Sequence, residues 1–110
     1  MREEHDAVVV YITAGSPEEA ATLARALVAE RLAACVNRVP VESVYRWQGQ
    51  IEEAPEVLLI VKTRRARLDA LAARVQALHS YTVPEMIVLP VVAGWPPYLQ
   101  WIDEETTPPA

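Results

Sequence analysis

Residues 41–61 read VESVYRWQGQIEEAPEVLLIV. Val41, Ser43, Tyr45 and Trp47 fall on one face of an extended chain, and Gln48-Gly49-Gln50 supplies a tight turn. From Ile51 a second arm leads through Pro55 into Val57-Leu58-Leu59-Ile60-Val61. Alternating β-branched and aromatic residues on both sides of a glycine turn specify a hairpin. Pro40 precedes one arm and Pro55 sits in the other, so a bend is expected in each, because proline cannot donate to a strand ladder.

Outward from the hairpin, each flank repeats one pattern. Ala7 to Thr13 is a β-branched apolar run ended by Gly15. Ser16-Pro17-Glu18-Glu19 then reads as a helix start, with Ser16 as N-cap, Pro17 at the first helical position and Glu19 completing a capping box. Ala20, Leu23, Ala24, Leu27 and Val28 recur at helical spacing, which predicts a helix from Pro17 to Arg31. Ala33 to Arg38 returns to strand. After the hairpin, Leu68, Leu71, Ala72 and Val75 predict a second helix over Arg64–Leu78. A turn-like segment, His79 to Glu85, leads to a last strand over Met86–Val92. Gly94, Pro96 and Pro97 end that strand, a short helix is expected over Tyr98–Glu104, and Thr107–Ala110 reads as a frayed tail. The order is β-α-β-β-α-β plus a final helix. With right-handed crossovers this is an α+β, ferredoxin-like βαββαβ fold with a long bent hairpin, in a single domain spanning 1–110.

In such a fold both helices cover one face of the sheet, so the strands should alternate. Three do not: Val8-Val9-Val10-Tyr11-Ile12, Val57 to Val61 and Met86-Ile87-Val88-Leu89 are apolar at successive positions. Six such residues turned away from the helices represent about 10–15 kcal/mol of unrealised burial, which rivals the whole stability of a small domain. The C-terminal helix is too short to cover them all. Another copy of the chain is the remaining solution, so self-association is expected.

Composition narrows the partners. The 110 residues are 52% hydrophobic with a net charge of −5, and the ten basic residues are spread evenly along the chain. No basic stripe marks a nucleic-acid partner. Met86 to Gly94 falls far short of the roughly 20 residues a membrane span needs. The acidic start, Met1 to Asp6, does not read as a signal peptide. A single cysteine, Cys35, cannot form an internal disulfide and suits a reducing compartment, so a cytoplasmic location is expected.

Several stretches resemble the CutA divalent-cation tolerance family. They are Glu30-Arg31-Leu32-Ala33-Ala34-Cys35-Val36-Asn37, Ser43 to Ile51, Glu56-Val57-Leu58-Leu59-Ile60-Val61-Lys62-Thr63, Tyr81-Thr82-Val83-Pro84-Glu85-Met86-Ile87 and Tyr98-Leu99-Gln100-Trp101-Ile102. The resemblance covers roughly Val8 to Ile102, with these stretches in order. The resemblance implies ferredoxin-like subunits in a homotrimer, and a link to divalent-metal tolerance with copper binding. Where some members carry a cysteine in the first strand, this chain has Ile12. Where some carry paired histidines and a proline, it has Leu78, a single His79 and Ser80.

Candidate metal ligands are His79 and Glu85, which share one loop, and Cys35; His5 is the other histidine. No Cys-x-x-Cys, His-x-His or helical His pair joins them. No cofactor is required, and Cu²⁺ or another divalent cation is the ion to consider. His79 at a helix end and Cys35 among alanines have structural readings too: a backbone-bonded imidazole and an inert thiol. Tyr45, Trp47, Lys62, Tyr81 and Trp101 are candidates for a cleft between subunits, or for packing there. Arg64, Arg65 and Arg67 oppose the dipole at the start of the second helix, which calls for a carboxylate or a bound anion. No phosphate loop, nucleophile elbow or Cys-His pair appears, so no enzymatic activity is expected. The alternative is a trimeric small-molecule sensor similar to the PII signalling proteins, with clefts between subunits.

Overall fold

The structure is a computed structural model that describes residues 1–109; the last residue of the expected tail, Ala110, lies outside the described residues. The elements are β1 (Ala7–Ala14), α1 (Pro17–Ala29), β2 (Cys35–Trp47), β3 (Gln50–Arg64), a 3₁₀ turn (Arg65–Arg67), α2 (Leu68–Leu78), β4 (Met86–Pro90) and α3 (Pro96–Glu105). They form an α+β arrangement. Its four-stranded sheet has the order β2-β3-β1-β4, and every neighbouring pair is antiparallel.

Element ends differ from expectation for local reasons. Helix α1 stops at Ala29 because Arg31 takes a left-handed conformation at φ 58°. Arg31 N–H then bonds Val28 O at 3.1 Å and Leu32 N–H bonds Leu27 O at 2.9 Å, a Schellman closure built without glycine. Arg64 ends β3 rather than opening α2. Its guanidinium reaches Thr106 Oγ1 at 2.8 Å and Asp103 at 3.5 Å, so carboxylate and hydroxyl oxygens at the end of α3 satisfy it. Strand β4 stops at Pro90 instead of Val92; Pro90 pairs with Val8, the last β1 residue that β4 reaches.

The expected bends at Pro40 and Pro55 do not break the hairpin. The β2–β3 register runs without a slip from Cys35↔Lys62 to Trp47↔Gln50. Pro40 lies on an edge strand, and Pro55 lies beyond the Ala14↔Val57 end of β1, so neither ring removes an N–H that a third strand needs. The turn residues Gln48 and Gly49 both have positive φ, 49° and 80°, as a two-residue turn matched to strand twist requires. Residues 42–55 therefore project as a two-stranded arm, and the molecule measures 44 × 29 × 21 Å.

The core lies between the sheet and α1/α2: Val10, Ile12, Leu23, Leu27, Leu59, Val61, Leu71 and Val75 are all buried there. The opposite face carries Val9, Tyr11, Leu58, Ile60, Ile87 and Leu89, set together by the pairs Val9↔Lys62, Tyr11↔Ile60, Thr13↔Leu58, Val9↔Leu89 and Tyr11↔Ile87. Helix α3 covers one end of this face through Leu99 and Ile102, packed with Ala7 and Ala34. It is held close by Gly94, where an added Cβ would lie 2.5 Å from Leu99 Cδ2. Gly94→Ala is expected to lower stability by about 1–3 kcal/mol through overpacking at the buried Leu99, read as a lower urea midpoint with an unchanged slope. An unchanged midpoint would mean that α3 moves away without cost.

Candidate functional site

A polar network lies where β1 ends and α1 begins. Ser16 Oγ accepts from Glu19 N–H at 3.1 Å, the N-cap read from the sequence. The Glu19 carboxylate does not return to Ser16, however. It accepts from Gly15 N–H at 3.1 Å and from Ser80 N–H at 2.8 Å, tying α1 to the loop after α2. Burial pushes the Glu19 carboxyl up, but hydrogen bonds from Ser80 and Gly15 outweigh it and hold the group below its ordinary 4.5. A depressed carboxyl stabilises the fold above its unfolded pKa and stops doing so as pH falls through the folded one. Acid unfolding should therefore show a loss of stability beginning near pH 4.5 and continuing below it. Glu19→Gln should flatten that segment of a stability-against-pH curve; an unchanged curve would remove Glu19 as its source.

His79 lies under this network, with its side chain fully buried. Its Nε2 lies 2.7 Å from Thr13 O, and its Nδ1 lies 3.0 Å from Tyr81 N–H. Since an amide can only donate, Nδ1 accepts and Nε2 carries the hydrogen, which fixes the neutral tautomer. Tyr81 packs against the imidazole with ring centroids 4.7 Å apart, crosses close to Gly15 and donates its hydroxyl to Glu56 Oε2 at 2.7 Å. Burial and the neighbouring Glu56 carboxylate both raise the Tyr81 phenol, so it stays a donor at neutral pH. Beside Glu56 opens a groove of about 420 Å³ between the start of α1 and the hairpin, lined by Ser16, Pro17, Arg38, Pro40, Glu42 and Pro55.

The expected metal ligands do not converge within one chain. His79 has both ring nitrogens engaged, Glu85 is exposed, and Cys35 sits at the far end of the sheet opposite Lys62. Lys62 pairs in turn with Val9, four β1 residues from the Thr13 carbonyl that holds His79, or about 13 Å along the strand. Among the described residues, no three His, Cys, Asp or Glu side chains are grouped to hold a metal ion. His79, Glu85 and Cys35 therefore do not form one shared metal site within a single chain.

Cys35 has its own small cluster. Its Sγ is 3.8 Å from Asn37 Oδ1, which also accepts from Lys62 Nζ. The Tyr98 phenol is raised by burial and then by Cys35. Tyr98 stacks on Trp101 at 5.5 Å. The candidate cleft residues are thus spread out. Tyr45 and Trp47 lie on the projecting arm, exposed at 43% and 47%, while Lys62 and Trp101 lie towards the opposite end of the molecule. Trp47 lies twelve residue steps along β2 from Cys35, about 40 Å, so a single chain cannot assemble them. Glu19 and Glu56 were not among the sequence candidates. Glu19 looked fully used by its helix cap, and Glu56 follows Pro55 at the edge of an apolar run with no spacing that points to Tyr81.

Comparison with known proteins gives this geometry a family. The profile described as CutA1 divalent ion tolerance protein matches residues 8–105. The Divalent-cation tolerance protein CutA of Thermus thermophilus is 54% identical over 99 residues, covering 89% of this chain and 96% of its own. Protein CutA 1, chloroplastic, of Oryza sativa is 48% identical over 90% of this chain, which spans only 56% of that longer protein. Solved structures agree: the Thermus thermophilus protein superposes with a TM-score of 0.89 at 53% identity, covering 92% of this chain and 99% of that one. CutA1 from Oryza sativa does so at 0.91 with 45% identity, covering 96% and 98%. With nearly its whole length matched in sequence and in fold, the chain belongs to the CutA divalent-cation tolerance family.

Proposed function

We propose that the chain is a non-enzymatic protein of divalent-metal tolerance that works as a homotrimer of ferredoxin-like subunits. The observation that carries this is the apolar sheet face. Val9, Tyr11, Leu58, Ile60, Ile87 and Leu89 line up opposite the core, and α3 covers only one end of them. A face of this kind is unstable in water, and copies of the same chain in closed symmetry remove it. The strand order β2-β3-β1-β4 with two helices against one face is the arrangement expected of a ferredoxin-like subunit. The projecting arm, with Val44, Tyr45, Trp47 and Ile51 exposed, is then a second contact between neighbours, since an isolated two-stranded ribbon is marginal by itself.

Cu²⁺ or another divalent cation binds weakly on this reading, at exposed carboxylates such as Glu85, and no cofactor is required. Titration calorimetry with Cu²⁺ should give a shallow isotherm, shallower still in Glu85→Gln. A steep stoichiometric isotherm identical in both proteins would overturn it. The cytoplasm is the proposed location, supported by the lone thiol, although the Oryza relative is named chloroplastic and the Archaeoglobus fulgidus structure is described as periplasmic. A second reading is a PII-like sensor, favoured by the groove beside Glu56 and Arg38. A thermal-shift screen of nucleotides and small anions tests it, and a flat response across the panel removes it.

A further inference from the structure

A second cavity lies on the opposite side of the molecule from this network, where the N-terminal segment meets the end of β3 and α3. It measures about 200 Å³ and is lined by Arg2, His5, Asp6, Arg64 and Asp103, with Leu99 and Ile102 at its base. The segment is fixed: Arg2 and Gly94 exchange two backbone hydrogen bonds of 2.9 and 3.0 Å, and Asp6 O accepts from Arg65 N–H at 3.0 Å. None of the activity proposed above uses this place, and residues 1–7 lie outside the family match.

The hydrogen-bond inventory of the cavity is lopsided. His5 Nδ1 accepts from Ala7 N–H at 3.0 Å, so in the neutral ring the hydrogen is on Nε2. That Nε2 is buried, and no described residue accepts from it. Buried polar groups are nearly always paired, so an orphaned donor in a cavity wall points to an acceptor that the chain does not supply. The two carboxylates are already engaged: Asp103 with Arg64 at 3.5 Å, and Asp6 with Ala66 N–H at 3.4 Å. Among the described residues no carboxylate lies within salt-bridge distance of Arg2, and the Arg64 bonds use Nε and Nη2, leaving Nη1. The uncommitted donors that line the cavity are thus the His5 imidazole N–H, the Arg2 guanidinium and the single Nη1 of Arg64.

We infer that this cavity binds a compact oxyanion, held by His5 Nε2–H and the guanidinium groups of Arg2 and Arg64. Planar guanidinium forks match the oxygens of phosphate and carboxylate alike, and charge-assisted bonds of this kind are the strong ones. A metal cation is the wrong ligand. It would need the Nε2 lone pair, which would move the hydrogen to Nδ1 and set it against the Ala7 N–H.

The test uses the full chain at constant ionic strength, titrated with inorganic phosphate, with acetate or with chloride, and follows the His5 ring nitrogens by ¹H–¹⁵N NMR. Saturable movement of the Nε2 signal with phosphate, acetate or both is expected, and which of them acts identifies a tetrahedral or a planar oxyanion. Arg2→Gln, at an exposed side chain that leaves the fold intact, should weaken the response about tenfold, as loss of one charged hydrogen-bonding partner does. His5→Phe should abolish the saturable heat of phosphate binding measured by calorimetry. No saturation by either oxyanion, a chloride response of equal size, or an affinity unchanged in Arg2→Gln would each overturn the assignment.

Discussion

Ile60→Glu should break the assembled protein into single chains. Ile60 stands near the middle of the uncovered sheet face, paired across β1 with Tyr11 and across β2 with Asn37. In one chain it is only partly buried, so a glutamate there meets water and the fold tolerates it. In an assembly closed over this face the same carboxylate is taken out of water with no cation opposite, which costs several kcal/mol per subunit. Three subunits each carry the penalty. Light scattering at micromolar concentration should give three times the 12.2 kDa chain mass for the native protein and one chain mass for the variant. Ala73→Glu, on the exposed side of α2, should leave the mass unchanged. A native protein that already scatters as one chain would remove the proposed trimer. An Ile60→Glu protein of native mass would show that assembly uses another surface. Circular dichroism of the variant checks that a fall in mass is dissociation of folded chains.

That face was legible in the sequence because its signal is a violation. Val8 to Ile12 and Val57 to Val61 break the alternation a half-solvated antiparallel sheet requires, and the structure sorts them as the period of two demands, with Val8, Val10, Ile12, Val57, Leu59 and Val61 buried. The order of elements was legible too, since each helix carries its own periodicity and the first its own cap. Element ends were not. Arg31 in a left-handed conformation leaves no mark in composition, because glycine is the residue that normally signals it. Pro40 and Pro55 suggested bends because their cost depends on which strand edge is free, and that is a property of the assembled sheet. The polar network was hidden for the same reason. Tyr81 and Glu56 are 25 residues apart, and Glu19 and Ser80 are 61 apart, so their pairing follows only once β1, β3 and the loop meet. Sequence spacing puts His79 and Glu85 in one loop, but the fold buries one and exposes the other.

The burial of His79 leads to the largest expected loss of stability from one side chain. His79→Ala should cost about 3–5 kcal/mol, a large part of the stability of a small domain. The loss has separate sources. Thr13 O loses its 2.7 Å donor at the buried end of β1, and Tyr81 N–H loses its acceptor at 3.0 Å. The ring's volume is also emptied under Tyr81, whose placement over Gly15 and bond to Glu56 depend on that support. Tyr81→Phe keeps the ring and removes only the hydroxyl, so about 1 kcal/mol is expected there. Urea unfolding should rank the two in that order. A His79→Ala cost near that of Tyr81→Phe would mean that water replaces both backbone bonds, and that the imidazole is not the structural hub. The same geometry separates this role from metal binding. A cation on either nitrogen would have to displace Thr13 O or Tyr81 N–H, so Cu²⁺ added to the folded protein should leave the His79 ring signals sharp while broadening those of exposed carboxylate side chains. Broadening confined to His79 would place the ion on the imidazole and require the loop from His79 to Glu85 to rearrange around it.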